Sequence, residues 1–232
     1  MTAKTEGFVF TETEIQLMAS MMGKTQLYGF GNDKRITGEI LRKNTYEAIH
    51  SLAKKKYLQY VDKSKTINKV NDIAPTKFDS LYVDEVIVKL IQNITNAKLI
   101  LDITKWDTME NTLIYIADEF RVKYSVGKKI TIVRPNFTNK EELRVSAIQL
   151  DELWEYLLDE GYLPQNTIEG LFLGKNVISR ENDKLVSLSV IDTRTFIEKK
   201  IINIYMDLTY DIDGNNRKMY SKRNIINEIE KR

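Results

Sequence analysis

The sequence predicts an α/β protein of the α+β kind, with a central antiparallel β-meander sheet and helices packed on it. Three observations lead there. Residues 98–135 fall into short apolar runs of strand character, the polar breaks between those runs are too short for crossover helices, and the segments on either side repeat their apolar residues at helical spacing. In the central stretch, Leu99, Leu101 and Ile103 alternate with Ile100, Asp102 and Thr104, and Phe120, Val122 and Tyr124 alternate with Arg121, Lys123 and Ser125. Leu113 to Ala117 is apolar on both faces and suits an interior strand, and Ile130 to Val133 closes the series. Trp106 to Glu110, Asp118-Glu119 and the segment around Gly127 serve as turns, and Pro135 ends the ladder.

In chain order, Thr11-Glu-Thr-Glu14 is a capping box that opens a first helix, with Phe10 and Ile15 as its hydrophobic staple. Ile15, Met18, Met21 and Met22 form its apolar stripe, and Gly23 fits the left-handed residue after it. Gly23-Lys24-Thr25 resembles the tail of a phosphate loop, but Met18 stands where that loop needs glycine, so the motif is set aside. Tyr28 to Lys34 is a loop. Ile36 to Leu58 carries the longest helical pattern, with Ile40, Leu41, Ala48, Ile49, Leu52 and Ala53 on its apolar side. Tyr57 to Val61 and Thr66 to Val70 can pair as a small hairpin.

After Pro75, Leu81 to Ile94 reads as a dense amphipathic helix covering the sheet. Asn136 to Lys140 is a loop, and Ile148 to Glu160 a further helix bearing Leu150, Leu153, Trp154 and Leu157, ended by Gly161. Leu185 to Ile191 and Ile201 to Leu208 are strands, the second continuing through Tyr210. Asp213-Gly214 signals a hairpin, and Ser221 caps a last helix containing Ile225, Ile226 and Ile229. Thr13 to Leu17 and Ser146 to Leu150 share a pattern, compatible with a pseudo-two-fold repeat of two halves meeting near 136–145 within one domain, 1–232.

A chain of 232 residues can bury a sizeable core, and its net charge of +2 gives it no overall attraction for nucleic acid or acidic lipid. Zero cysteines exclude disulfides and thiolate chemistry, which fits a reducing compartment. No basic and apolar leader opens the sequence, and no apolar run is long enough for a membrane span, so the expectation is a cytoplasmic protein without membrane insertion.

No residue pattern points to turnover. His50 is the single histidine, and it lies in the basic helix without a partner. The acidic side of the 148–160 helix, through Asp151, Glu152, Glu155, Asp159 and Glu160, reads as a solvated face. Asp211, Asp213 and Asn215 imitate a calcium loop, but Asn216 and Lys222 occupy positions that need glycine and glutamate. We therefore expect no enzyme, metal or cofactor. Between Lys34 and Lys69, ten basic residues face only Glu39, Glu47 and Asp62. With a break near Arg42 to Asn44 and a basic hairpin, residues 36–70 would make a winged helix, giving a DNA-binding regulator as the alternative reading. Otherwise Lys54 to Lys56 are the cation-rich, solvated end of a helix.

The order of these elements resembles the EspG-type chaperones of type VII (ESX) secretion, in the shorter version found in low-GC Gram-positive bacteria. The resemblance is carried by Phe10-Thr-Glu-Thr-Glu-Ile15, Ala48-Ile-His-Ser-Leu-Ala-Lys-Lys-Lys-Tyr-Leu58, the meander from Leu99 to Pro135 and Leu150-Asp-Glu-Leu-Trp154. It implies a bacterial cytoplasmic chaperone without catalysis, which binds a helical secreted protein and keeps it soluble and export-competent. The implied partner is a small WXG-type protein or a long LXG-type helical toxin. For the partner-binding surface, the hairpin around Gly127 presents Tyr124 and Val126 beside Lys128 and Lys129. Leu171, Phe172 and Leu173, between Gly170 and Gly174, are either a core plug or an exposed anchor. Trp106 and Trp154 are assigned to the core.

Overall fold

The computed structural model describes residues 7–31, 38–60, 81–117, 128–136, 138–162, 185–193, 197–205, 208–213 and 216–219. The elements are β1 (Phe8–Thr11), α1 (Glu12–Met21), α2 (Gly38–Lys54), β2 (Leu58–Tyr60), β3 (Leu81–Val83), α3 (Glu85–Thr95), β4 (Leu99–Lys105), β5 (Glu110–Ile116), β6 (Lys129–Asn136) and β7 (Asn139–Gln149). A 3-10 turn at Leu150–Glu152 leads into α4 (Leu153–Asp159), followed by β8 (Leu185–Asp192), β9 (Ile197–Tyr205), β10 (Leu208–Asp213) and β11 (Asn216–Met219).

Nine strands form one antiparallel sheet in the order β1-β7-β6-β5-β4-β8-β9-β10-β11, and β2 pairs with β3 apart from it. The α/β prediction holds. Both faces are apolar near the centre because alternate residues of each strand feed different cores. Leu99, Leu101 and Ile103 of β4, with Ile114 and Ile116 of β5, pack under Leu153 and Leu157 of α4. Ile100, Leu113 and Tyr115 face the other way, toward Ile15 and Met18 of α1, Leu52 of α2, and Ile87, Leu90 and Ile91 of α3.

Several expectations are corrected. The strand β1 was unforeseen: four residues are too few to show a period before a cap. Ile148 belongs to β7, which runs to Gln149, so only Leu153–Asp159 of the expected 148–160 helix is α-helical. Ser146 to Gln149 is accordingly extended while Thr13 to Leu17 is helical, and the suggested repeat has no structural counterpart there. Arg134 pairs with Arg144, Pro135 with Leu143 and Asn136 with Asn139 across β6 and β7.

Leu81–Val83 is the strand β3 rather than the first turn of a helix, and α3 starts after Asp84, whose side chain caps Val86 N at 2.8 Å. The strand β2 pairs with β3, Leu58 opposite Val83, and the expected partner 66–70 lies outside the described residues. The expected strand from Ile201 through Tyr210 divides into β9 and β10, which pair with each other. The hairpin expected at Asp213 is present, with Asp213 opposite Asn216. β5 pairs directly with β6, Ile114 opposite Ile132, so no strand stands between them; residues 120–124 lie outside the described set, as does the helix expected after Ser221.

Candidate protein-interaction surfaces

The helix α2 has two halves with different surroundings. Its C-terminal half is anchored to the edge of the sheet. In an antiparallel pair alternate residues bond to the partner strand, so Val9 and Thr11 of β1 turn their backbone groups outward while Phe8 and Phe10 face β7. Three of those outward groups are satisfied by side chains. The Val9 amide donates to the Tyr57 hydroxyl at 3.2 Å, the Lys55 ammonium donates to the Val9 carbonyl at 3.2 Å, and the Thr11 amide donates to Glu14 Oε2 at 2.7 Å. Lys55 and Glu14 close the arrangement with an Nζ–Oε2 ion pair of 2.8 Å.

The local backbone explains how Tyr57 reaches that edge. Lys56 takes the left-handed conformation at φ 63°, and the Tyr57 amide returns to the Leu52 carbonyl at 2.9 Å. This closing turn folds the chain back over β1, where the Tyr57 ring meets Phe8 edge-on at 5.4 Å and Phe10 at 5.0 Å. The same closure ends α1 at Gly23 and α4 at Gly161, where glycine announced it; at Lys56 nothing in the residue type did. The expectation that Lys54 to Lys56 form a uniformly solvated cluster is therefore corrected at Lys55.

The N-terminal half of α2 projects. Residues 38–43 are all exposed, including Ile40 at 47% and Leu41 at 57%, and Tyr46 follows at 72%. Leu41 shares a helix face with the buried Ala48 and Leu52, seven and eleven residues on, so the core stripe continues past the body of the protein. Ile40 and Leu41 lie on the apolar side of the helix, as expected, but outside the core. The legible sign was the polar gap at Asn44 and Thr45 between Leu41 and Ala48. Arg42 and Lys43 are exposed beside the apolar pair. The helix is continuous through Arg42 to Asn44, so the break on which the winged-helix geometry depended is absent.

A third surface lies on the sheet. The helix α3 packs on β5, β6 and β7 and α1 on β7, on the face carrying Tyr115. Toward the β4–β5 turn this face changes character and carries Asp102, Thr104, Asn111, Ser187 and Ser189, all at least partly exposed. Asp102 accepts from the Tyr28 hydroxyl at 2.8 Å and from the Asn111 amide at 2.5 Å, and Asn111 also reaches Thr104 Oγ1 at 3.2 Å. Trp106 is half exposed, not core, and its indole N–H donates to Ser187 Oγ at 2.8 Å. Tyr115 beneath donates to the Tyr28 carbonyl at 2.8 Å, and burial, then the nearby Asp102 charge, pushes its ionisation well above the usual tyrosine value.

Under α4, Arg134 pairs with Glu160 at 2.8 Å, Lys105 donates to the Glu160 carbonyl at 2.5 Å and stands 4.5 Å over the Tyr162 ring, and Tyr162 meets Thr112 at 2.6 Å. These contacts cap the end of α4, where cations favour the helix dipole. Trp154 packs against that core, as expected.

Of the expected partner-binding residues, Lys128 and Lys129 stand at the start of β6, at the end of the sheet opposite the Trp106 turn. Lys129 is exposed, and the Lys128 carbonyl accepts from Leu150 N at 2.8 Å. Tyr124, Val126, Leu171, Phe172 and Leu173 lie outside the described residues. His50 is exposed on α2. Among the described residues no three His, Asp or Glu side chains gather as a metal site, and no helix is long and apolar enough to cross a membrane.

No family model and no curated protein matches this chain.

Proposed function

We propose that this protein is a non-enzymatic chaperone or adaptor of the EspG type, which captures a helical type VII secretion substrate in the cytoplasm and keeps it soluble and export-competent. The observation that supports it is the projecting half of α2. Helix exposed on all sides, as at residues 38–43, gains little from propensity alone, and isolated short helices are marginal in water. An apolar stripe that outruns its own core is a surface suited to a second amphipathic helix, which would complete the packing begun at Ala48 and Leu52. Arg42 and Lys43 beside it favour a partner with an acidic flank.

Tyr124 and Val126, with the neighbouring Lys128 and Lys129, and the Leu171-Phe172-Leu173 segment remain in the proposal as further contacts. The test is co-purification and calorimetry with any helical WXG-type or LXG-type protein co-encoded with this one. A stoichiometric complex lost on changing Leu41 to aspartate is the expected result. Absence of binding to any co-encoded helical protein overturns the reading.

A further inference from the structure

We infer that the polar face of β4, β5 and β8 below Trp106 is a binding site for a neutral saccharide. The face has two rows. Asn111, Thr104 and Ser187 stand side by side across three strands, and one step down Asp102 and Ser189 stand side by side. The upper row spans three strands, about 10 Å, and the lower row adds a step of about 7 Å along β4 and β8, while Leu113 at the remaining position on β5 is buried; the five polar residues match the footprint of a sugar ring with its hydroxyls.

Three features favour that ligand over others. The Trp106 indole is fixed over the upper row by its bond to Ser187 and is 50% exposed, so a ring face is held in place for stacking against the C–H face of a sugar. Asp102 is pre-oriented by Tyr28 and Asn111, and its carboxylate oxygens retain further lone pairs for a pair of hydroxyl donors. Among the described residues the patch holds one carboxylate and no cation, because Lys105 turns to the opposite face, where it donates to Glu160 and covers Tyr162. Phosphates and nucleotides are disfavoured by that charge. Ser187 and Ser189 also stand where continued helix cover would call for apolar residues, since Leu188 and Val190 beside them serve the α4 core.

The inference is independent of the chaperone reading, and its test separates the two. In a Trp154→Phe background, Trp106 is the single tryptophan. Its emission is followed during titration with glucose, galactose, N-acetylglucosamine, cellobiose and lactose, with calorimetry in parallel. A saturable response to at least one sugar is expected, with affinity about tenfold weaker or worse in Trp106→Ala and in Ser189→Ala at unchanged melting temperature. Leu41→Asp should bind the sugar as the parent does. No saturable response to any of these sugars at tens of millimolar overturns the inference. So does binding unaffected by Trp106→Ala, or a response to choline or inorganic phosphate in place of the sugars.

Discussion

Lys55 holds the carboxylate of Glu14 at 2.8 Å, and Glu14 is wholly buried while Lys55 keeps 23% of its side chain exposed. The pair joins the end of α2 to the capping box of α1 across the sheet's edge strand. Together with the Tyr57 hydroxyl, the pair occupies three outward backbone groups of β1, so a neighbouring chain cannot add to this edge without displacing them.

Removing Lys55 leaves a buried anion without its partner. Lys55→Ala should cost about 3–5 kcal/mol of stability, the range for breaking a buried pair from one side. Lys55→Met with Glu14→Gln should recover part of it, because no charge is then stranded. Substitution of the exposed Lys54 should stay within about 0.5 kcal/mol. Urea melts of the four proteins decide the matter, and equal effects at Lys54 and Lys55 would remove the pair from the account.

The projecting turns of α2 predict the opposite separation of stability and function. Ile40→Asp with Leu41→Asp should leave the melting temperature within a few degrees of the parent, since neither side chain fills the core. Capture of a helical partner should weaken by about 1–4 kcal/mol, the range of interface anchors. A large loss of stability would instead place these residues in a packed site.

Two glycines with the same backbone should differ on substitution. Gly23 and Gly29 both have positive φ, 80° and 81°, but a Cβ at Gly23 meets open space while one at Gly29 runs into Leu113 Cδ1. Gly23→Ala should cost about 1 kcal/mol for the left-handed backbone alone. Gly29→Ala should cost about 2–4 kcal/mol, the same strain plus overpacking against a core leucine. The difference between the two melts measures that contact, and equality would mean the loop shifts freely.

Alkaline pH should unfold this protein through its tyrosines. Burial is the main cause that raises the ionisation of Tyr115, Tyr156 and Tyr162 above the ordinary value of 10.0. Below pH 10 both folded and unfolded chains keep these protons, and stability does not depend on them. Above it the unfolded chain ionises and the folded one resists, so stability falls with pH, by about 1.4 kcal/mol per unit for each tyrosine. Tyr156→Phe should make that fall shallower by one tyrosine's share; an unchanged slope in denaturant titrations between pH 10 and 11.5 would reject the assignment.

The sequence by itself determined what is local. The capping box at Thr11 and Glu14, the closing glycines at 23 and 161, the apolar β5 and the alternation of β4 were all legible, because each depends on residues within a turn or two of one another. Helix and strand were confused where the pattern was shared: Gln149 sits four residues before Leu153 and Ile148 extends the same apolar run, but the two pair with Lys129 and Ile130, since hydrogen bonds to a distant strand outweigh a weak local preference. Exposure was the quantity least accessible. Ile40, Leu41 and Trp106 are as apolar as their buried neighbours, and only the extent of the body beneath them left them outside. Lys55 was hidden for the converse reason. Its place depends on Glu14 and Val9, more than forty positions earlier, and no spacing along the chain encodes a partner that tertiary folding alone brings within reach.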